Sequence, residues 1–333
     1  MLSNVTDKPK FFYGYIVVLV STIIMMVSWG VFRSFGIFFE PLLAEFGETR
    51  AVTSAIYSVA MLANGLLSII TGRLNDKFGP RLIMTVCGSL LGIGYLLMSQ
   101  INVTWQIYLI YGGMIGIGMS GTFVPLNSTI ARWFDERRGM MTGIIMAGQG
   151  FGLVVMPLVI SWLIYNYGWR DSYLMMGIIS LVLIISAAQF LKRDPTQIGQ
   201  TAYGKKRSEV ENPSSQVKLF SLRQVVSTKQ FWILCAIFFS ITFSASGVMV
   251  HIVIYATGLG IAATTAANIL PIIGVSTIFS RFTIGVVSDR IGNKPSLVIS
   301  FIILLVALLL LNYATDIRII YLVAVILGIS FGA

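Results

Sequence analysis

GRLNDKFGPR, residues 72–81, and GVVSDRIGNK, residues 285–294, are one motif written twice in a chain of 333 residues. Gly72, Asp76, Gly79 and Arg81 fall on Gly285, Asp289, Gly292 and Lys294 at a constant spacing of 213, with Lys77 answered by Arg290. Charges set between glycines make a turn. Each copy closes an apolar run of about 20 residues, the length at which a helix crosses a bilayer. Two copies, placed alike after two such runs, imply a duplicated bundle of membrane helices.

Composition agrees. Hydrophobic residues make up 56% of the chain and charged residues 11%, against about a quarter charged in soluble domains. That much apolar surface cannot be hidden in a core and still leave a polar exterior, so lipid must face it. Apolar segments recur near 12–39, 52–71, 80–99, 104–127, 139–165, 171–191, 230–257, 262–284, 295–313 and 317–333. In lipid the backbone must bond within its own segment, so all ten are read as helices. The net charge of +10 would suit nucleic acid only if clustered on one folded face. Here the cations sit in short segments between apolar runs, and no nucleic-acid partner is expected. Cys87 and Cys235 lie inside apolar segments and His251 is the only histidine, which supports neither a disulfide framework nor a zinc site. No cofactor is expected. No nucleophile, base and orienting group can be assembled, so the chain does not read as an enzyme.

With the N-terminus in the cytoplasm and the spans alternating, eighteen Lys and Arg fall in inner segments and only Arg50, Arg170 and Arg318 in outer loops. That bias sets the orientation and describes a multi-pass protein of the cell membrane. Residues 192–229 are basic and polar, with DPTQIG and GKKRSEVENPSS, and read as a cytoplasmic linker. The expected domains are a six-helix half over 1–191, that linker, and an incomplete half of four helices over 230–333. On the logic of the repeat, ten of twelve helices are present and the chain is truncated within its tenth span.

The paired G-x-x-x-D-[RK]-x-G-x-[RK] loops resemble the signature of the major facilitator superfamily. Within it the chain is similar to the monocarboxylate transporter and oxalate/formate antiporter group. Tyr13-Gly14-Tyr15 opens the first span as in that family, and GVFRSFGIFF at Gly30–Phe39 has Arg33 where a lysine is common. RWFDERRGMMTGIIMAGQGFG, Arg132–Gly152, is similar to its loop and fifth-helix signature. The resemblance implies an all-α membrane bundle of two pseudo-symmetric halves with a site between them. It further implies secondary transport, by alternating access, of a small organic anion such as lactate, pyruvate, formate or oxalate, by symport with a proton or exchange for a counter-anion. Arg281, in GVSTIFSR, stands where the family has a substrate-binding arginine.

Charges within the spans point the same way. Arg33 and Arg281 fall inside spans, whereas all thirteen acidic residues can be placed outside them. A guanidinium stays charged and forks onto a carboxylate, and an organic anion would supply the counter-charge the spans lack. Each arginine also has a structural alternative: Arg281 bonded to backbone carbonyls, Arg33 snorkelling to the headgroups. Thr277 stands where animal-type relatives carry an aspartate. His251 is then a candidate for proton coupling, or else a satisfied core histidine. Tyr111 and Asn127 are further candidates for substrate contact, with Tyr57, Asn64, Gln149 and Asn268 as other polar residues within spans. Gly116, Gly118 and Gly121 satisfy G-x-G-x-x-G, yet they lie mid-span, where glycines let helices approach closely. Two other readings stand beside the anion carrier: a carrier of drugs or other solutes, and a non-transporting sensor acting through its linker.

Overall fold

A computed structural model describes residues 12–204, 222–266 and 268–332. Among them, eight helices are long and apolar enough to cross a membrane. The longest, Arg138–Gln189, is two spans joined at Gly168, whose φ of 81° and ψ of 169° break the helix. With the shorter apolar helix Ile317–Gly332, the ten expected spans are all found. They are numbered in chain order: α1 Gly14–Phe46, α2 Arg50–Phe78, α3 Pro80–Met98, α4 Thr104–Trp133, α5 138–167, α6 169–189, α7 Lys229–Gly258, α8 Ile269–Ile291, α9 Asn293–Asn312 and α10 Ile317–Gly332.

The chain forms two compact units, Met1–Gly204 and Lys205–Ala333. In the first, α1 packs along α5, α3 along α6, and α2 along α4. Lipid tails are as apolar as leucine, so these contacts depend on how closely backbones can approach. Glycines set that distance. A Cβ on Gly148 would stand 2.7 Å from the Thr22 carbonyl oxygen, one on Gly30 would stand 2.8 Å from the Gly152 carbonyl oxygen, and one on Gly152 would overlap the Met26 carbonyl. The α1–α5 seam is therefore backbone against backbone over several turns.

The second unit repeats the first. A Cβ on Gly116 of α4 would meet the Ala60 carbonyl oxygen of α2 at 2.8 Å, and one on Gly328 of α10 would meet the Ile273 carbonyl oxygen of α8 at 2.6 Å. Ala60 and Ile273 stand at the 213-residue offset. The motif turns match as well. Gly79 has φ 85° and ψ 163°, and its N–H donates to Asn75 O at 2.9 Å. Gly292 has φ 91° and ψ 161° and donates to Ser288 O at 2.9 Å. Left-handed φ at both positions is why the motif needs glycine there.

Residues 192–204, the start of the expected linker, are built into the first unit. The Trp133 indole N–H donates to Lys192 O at 2.9 Å, and the backbone N–H of Tyr13 donates to Gln200 Oε1 at 3.1 Å. Tyr203 pairs with Phe134 in a short parallel bridge, receives the N–H groups of Asp135 and Glu136, and lies among the rings of Phe12 and Phe134. Aromatic residues supply the anchorage there. The remainder, 205–221, lies outside the described residues.

Overpacking a filled seam costs about 1–3 kcal/mol. Gly152→Val should therefore lower the thermal unfolding midpoint of the detergent-solubilised protein by several degrees. Gly36→Ala, where nothing stands within 4 Å of the added carbon, should leave it unchanged or slightly raised.

Candidate functional site

Arg33 ends the first arm of α1, in the last turn before the helix breaks at Ser34 (φ −77°, ψ 3°). Two hydroxyls add hydrogen bonds to carbonyls at the break, where the Ser34 N–H already donates to Gly30 O at 3.2 Å. Ser34 Oγ donates to Gly30 O at 2.7 Å, and Tyr111 Oη, from α4, donates to Phe32 O at 2.7 Å. Tyr111 is 1% exposed and stacks on Phe32 with ring centroids 5.7 Å apart. The donor of its hydroxyl is thus spent on the backbone next to Arg33. Its place is beneath the arginine, holding the break.

The Arg33 side chain is exposed, and its guanidinium lies over the Trp29 ring, 5.6 Å from the centroid. Tyr57 of α2, partly buried, stacks on Phe32 at 5.2 Å and on Phe35 at 6.0 Å. Across α4, Phe123 meets Trp29 edge-to-face at 6.5 Å, and Asn127 stands one turn beyond Phe123. Asn127 Nδ2 donates to Phe123 O at 2.8 Å. Among the described residues, no carboxylate forms an ion pair with Arg33. The structure therefore gathers Arg33, Tyr111 and Asn127 around α1 and α4 of the first unit. Ser68 Oγ donates to Asn64 O at 2.6 Å on the same helix and makes a long 3.5 Å contact with Asn64 Oδ1, and Gln149 is buried in α5.

In the second unit Arg281 is partly buried in the middle of α8, on the same helix as Thr277, whose hydroxyl donates to Ile273 O at 2.7 Å. His251 is exposed on α7 and lines a cavity of about 460 Å³ with Gly247, Tyr255 and Asn312. Asn268 begins α8 as its N-cap residue. Among the described residues, no group of His, Cys, Asp or Glu could hold a metal ion.

Each motif loop lies at the turn end of its own helices. Asp76 accepts from Arg132 of α4 at 2.6 Å, and Arg132 also approaches Asp194 at 3.9 Å. Arg81 Nε donates to Gln189 Oε1 of α6 at 2.9 Å. Gly72 faces Val124, to which an added Cβ would come within 3.2 Å. The network thus ties α2, α3, α4 and α6 within one half. Sequence reasoning had Asp76 and its basic neighbours but missed the partners Arg132, Asp194 and Gln189. No periodicity connects them. In the second copy Gly285 is partly buried, while Asp289 and Arg290 are exposed ahead of the Gly292 turn.

Two units built on one plan, each closing its second helix with the same glycine turn, make a bundle of repeated halves. The chain belongs to the Major Facilitator Superfamily, whose profile matches residues 18–333. That superfamily is one of membrane transporters. Among curated relatives it is 33% identical to Monocarboxylate transporter 13 of Rattus norvegicus over 55% of this chain and 43% of the relative. It is 28% identical to the Oxalate:formate antiporter of Oxalobacter formigenes over 88% of this chain and 66% of the relative. The chain thus spans less than two thirds of the length of either. The proton:xylose symporter XylE shares its fold, with a TM-score of 0.68 over 96% of this chain and 79% of that one at 15% identity.

The Asp76–Arg132 pair is partly solvent-exposed, and such pairs contribute about 0–1 kcal/mol. Asp76→Asn should therefore leave the unfolding midpoint within about two degrees of the parent while slowing transport. An Asp76→Arg/Arg132→Asp swap should recover part of the rate, measured as initial uptake in proteoliposomes.

Proposed function

We propose that this chain carries small organic anions, monocarboxylates or oxalate, across the membrane by alternating access. The observation that carries the reading is Arg33, a permanent cation within the first apolar span that rests on an aromatic ring and makes no ion pair with a carboxylate among the described residues. A charge at mid-bilayer is costly and is kept where it serves a cargo or a pathway. Arg33 and Arg281 are the anion-binding candidates of the two halves, since a guanidinium presents a planar fork that matches a carboxylate. Two relatives named for monocarboxylates and for oxalate and formate support the same substrate class. Tyr111 acts by holding the helix break that presents Arg33. His251, exposed beside a cavity, is the candidate for proton coupling; exchange against a second anion is the other arrangement this site admits.

Uptake of labelled lactate, formate and oxalate into liposomes containing the purified protein tests the reading. Saturable uptake of at least one acid is expected. Arg281→Ala and Arg33→Ala should each raise KM about tenfold, since a hydrogen bond to a charged group contributes roughly 1.5–3 kcal/mol and about 1.4 kcal/mol is a tenfold change. Elution as a single gel-filtration peak would show the variants folded. Equal uptake by the parent and Arg281→Ala would overturn the assignment of that arginine. No saturable flux of any acid would overturn the anion reading.

A further inference from the structure

A groove of about 300 Å³ runs between α2 and α3 of the first unit, from Leu67 and Leu90 to Phe78 and Leu82 beside the Gly79 turn, with Ile117 of α4 completing it. Ile70, Phe78, Leu82 and Val86 along it are each about half exposed, so it opens sideways toward lipid. Of its lining residues Thr71 alone carries a hydroxyl, and that hydroxyl donates to Ser120 O of α4 at 2.8 Å. Leu67 and Phe78 are eleven residues apart, which is about 16 Å of helix. The hydrocarbon layer is about 30 Å thick, so the groove runs the depth of about one leaflet. Cations stand at its turn end. Arg73, Lys77 and Arg81 are exposed there, and the Lys77 ammonium lies over the ring of Phe78, 5.2 Å from its centroid. Asp76, the acid of the same turn, is engaged by Arg132 at 2.6 Å, and Arg81 donates to Gln189. Among the described residues, neither Arg73 nor Lys77 forms an ion pair with a carboxylate.

We propose that this groove binds an anionic glycerophospholipid, one acyl chain lying along the α2–α3 walls and the phosphate resting against Arg73, Lys77 and Arg81. Arg73 and Lys77 are four residues apart and share a face of α2, so one headgroup can meet both. About 300 Å³ spread over about 16 Å leaves a section of roughly 19 Å², against roughly 80 Å² for a helix about 10 Å across. One alkyl chain fits such a section and a partner helix does not. A soluble anion could use the cations but gains nothing from the apolar walls. A zwitterionic lipid could fill the walls but gains less from the cations, since each Lys or Arg at the membrane surface favours an anionic headgroup. A lipid seated there bridges the ends of α2 and α3 on either side of the Gly79 turn. Its binding is independent of the solute carried.

The test is to count, by mass spectrometry, the lipid that the purified protein retains after gel filtration from detergent micelles holding equal phosphatidylglycerol and phosphatidylcholine. The parent should retain phosphatidylglycerol over phosphatidylcholine at least about fivefold, the effect of one Lys or Arg beside an anionic headgroup. Arg73→Gln/Lys77→Gln, at exposed positions, should bring the ratio close to one. Leu74→Trp, which fills the groove, should lower retention of both lipids; Val86→Trp fills it from the opposite wall and covers the case in which the first variant fails to fold. Excess inorganic phosphate should displace neither lipid. Equal retention of the two lipids by the parent, or an unchanged ratio in the double variant, would overturn the site. So would undiminished retention in a folded tryptophan variant, or displacement of the lipid by phosphate.

Discussion

Helices in a bilayer gain little by hiding apolar side chains from one another, because lipid receives those side chains just as well. What holds this bundle together is therefore the close approach of backbones. The α1–α5 seam shows how narrow the tolerance is. Thr22 and Met26 on one helix present carbonyl oxygens to Gly148 and Gly152 on the other, and Gly30 returns the contact toward Gly152. Such a surface is smooth, and it holds α1 in one position along α5. Everything at the break in α1, including the direction of Arg33, inherits its place from that seam.

Charges are handled at the helix ends, where exposure keeps them affordable. Asp76, Arg132 and Asp194 form one chain of contacts, and Arg81 reaches α6 through Gln189. At the opposite ends of the same helices, Arg170 pairs with Glu45 and also donates to Ser99 O at 3.0 Å, while Thr104 donates to Glu48 at 2.8 Å. Each network joins loops distant in sequence without placing a charge among the helices. The first unit is thus laced at both ends and interlocked by glycine between them. That combination makes the first unit a single packed body.

Much of this was legible beforehand, and the reasons are physical. A span announces itself because roughly twenty residues must be apolar whatever their order. The repeat was visible because left-handed φ at Gly79 and Gly292 admits little besides glycine. Even the joint at Gly168 fell between two expected spans. What stayed hidden depends on contacts between helices. Tyr111 reads as a polar residue available to a ligand until its hydroxyl is found on Phe32 O, beneath a break in α1 that no residue in the run marks. The π-helical turn Tyr108–Ile115 that sets its angle has no sequence signal either. Residues 192–204 looked like linker because their composition is polar. Yet Tyr203 and Gln200 meet Phe12, Tyr13 and Phe134, and Trp133 donates to Lys192 O, so the segment is docked. Trp29 drew no notice among apolar neighbours, since a tryptophan in a membrane helix is unremarkable until its N–H is seen to lack an acceptor.

The energetics of Arg33 show why the aromatic seat is incomplete by itself. A cation within a span costs up to about 2.5–3.5 kcal/mol on insertion scales, the full figure applying at the bilayer centre. A guanidinium over an aromatic face recovers about 0.5–1 kcal/mol where exposed and about 2 where desolvated. At 5.6 Å from the Trp29 centroid, with the arginine exposed, the smaller figure applies. The ring therefore orients the side chain without neutralising it, and water must carry the remainder when no anion is present. On the proposed anion reading, a carboxylate at Arg33 would exchange its own water for a fork of donors placed by the Phe32 break, the Trp29 ring and the α1–α5 seam. On that reading, the less the protein satisfies Arg33 at rest, the larger the share of that exchange that would favour a bound anion.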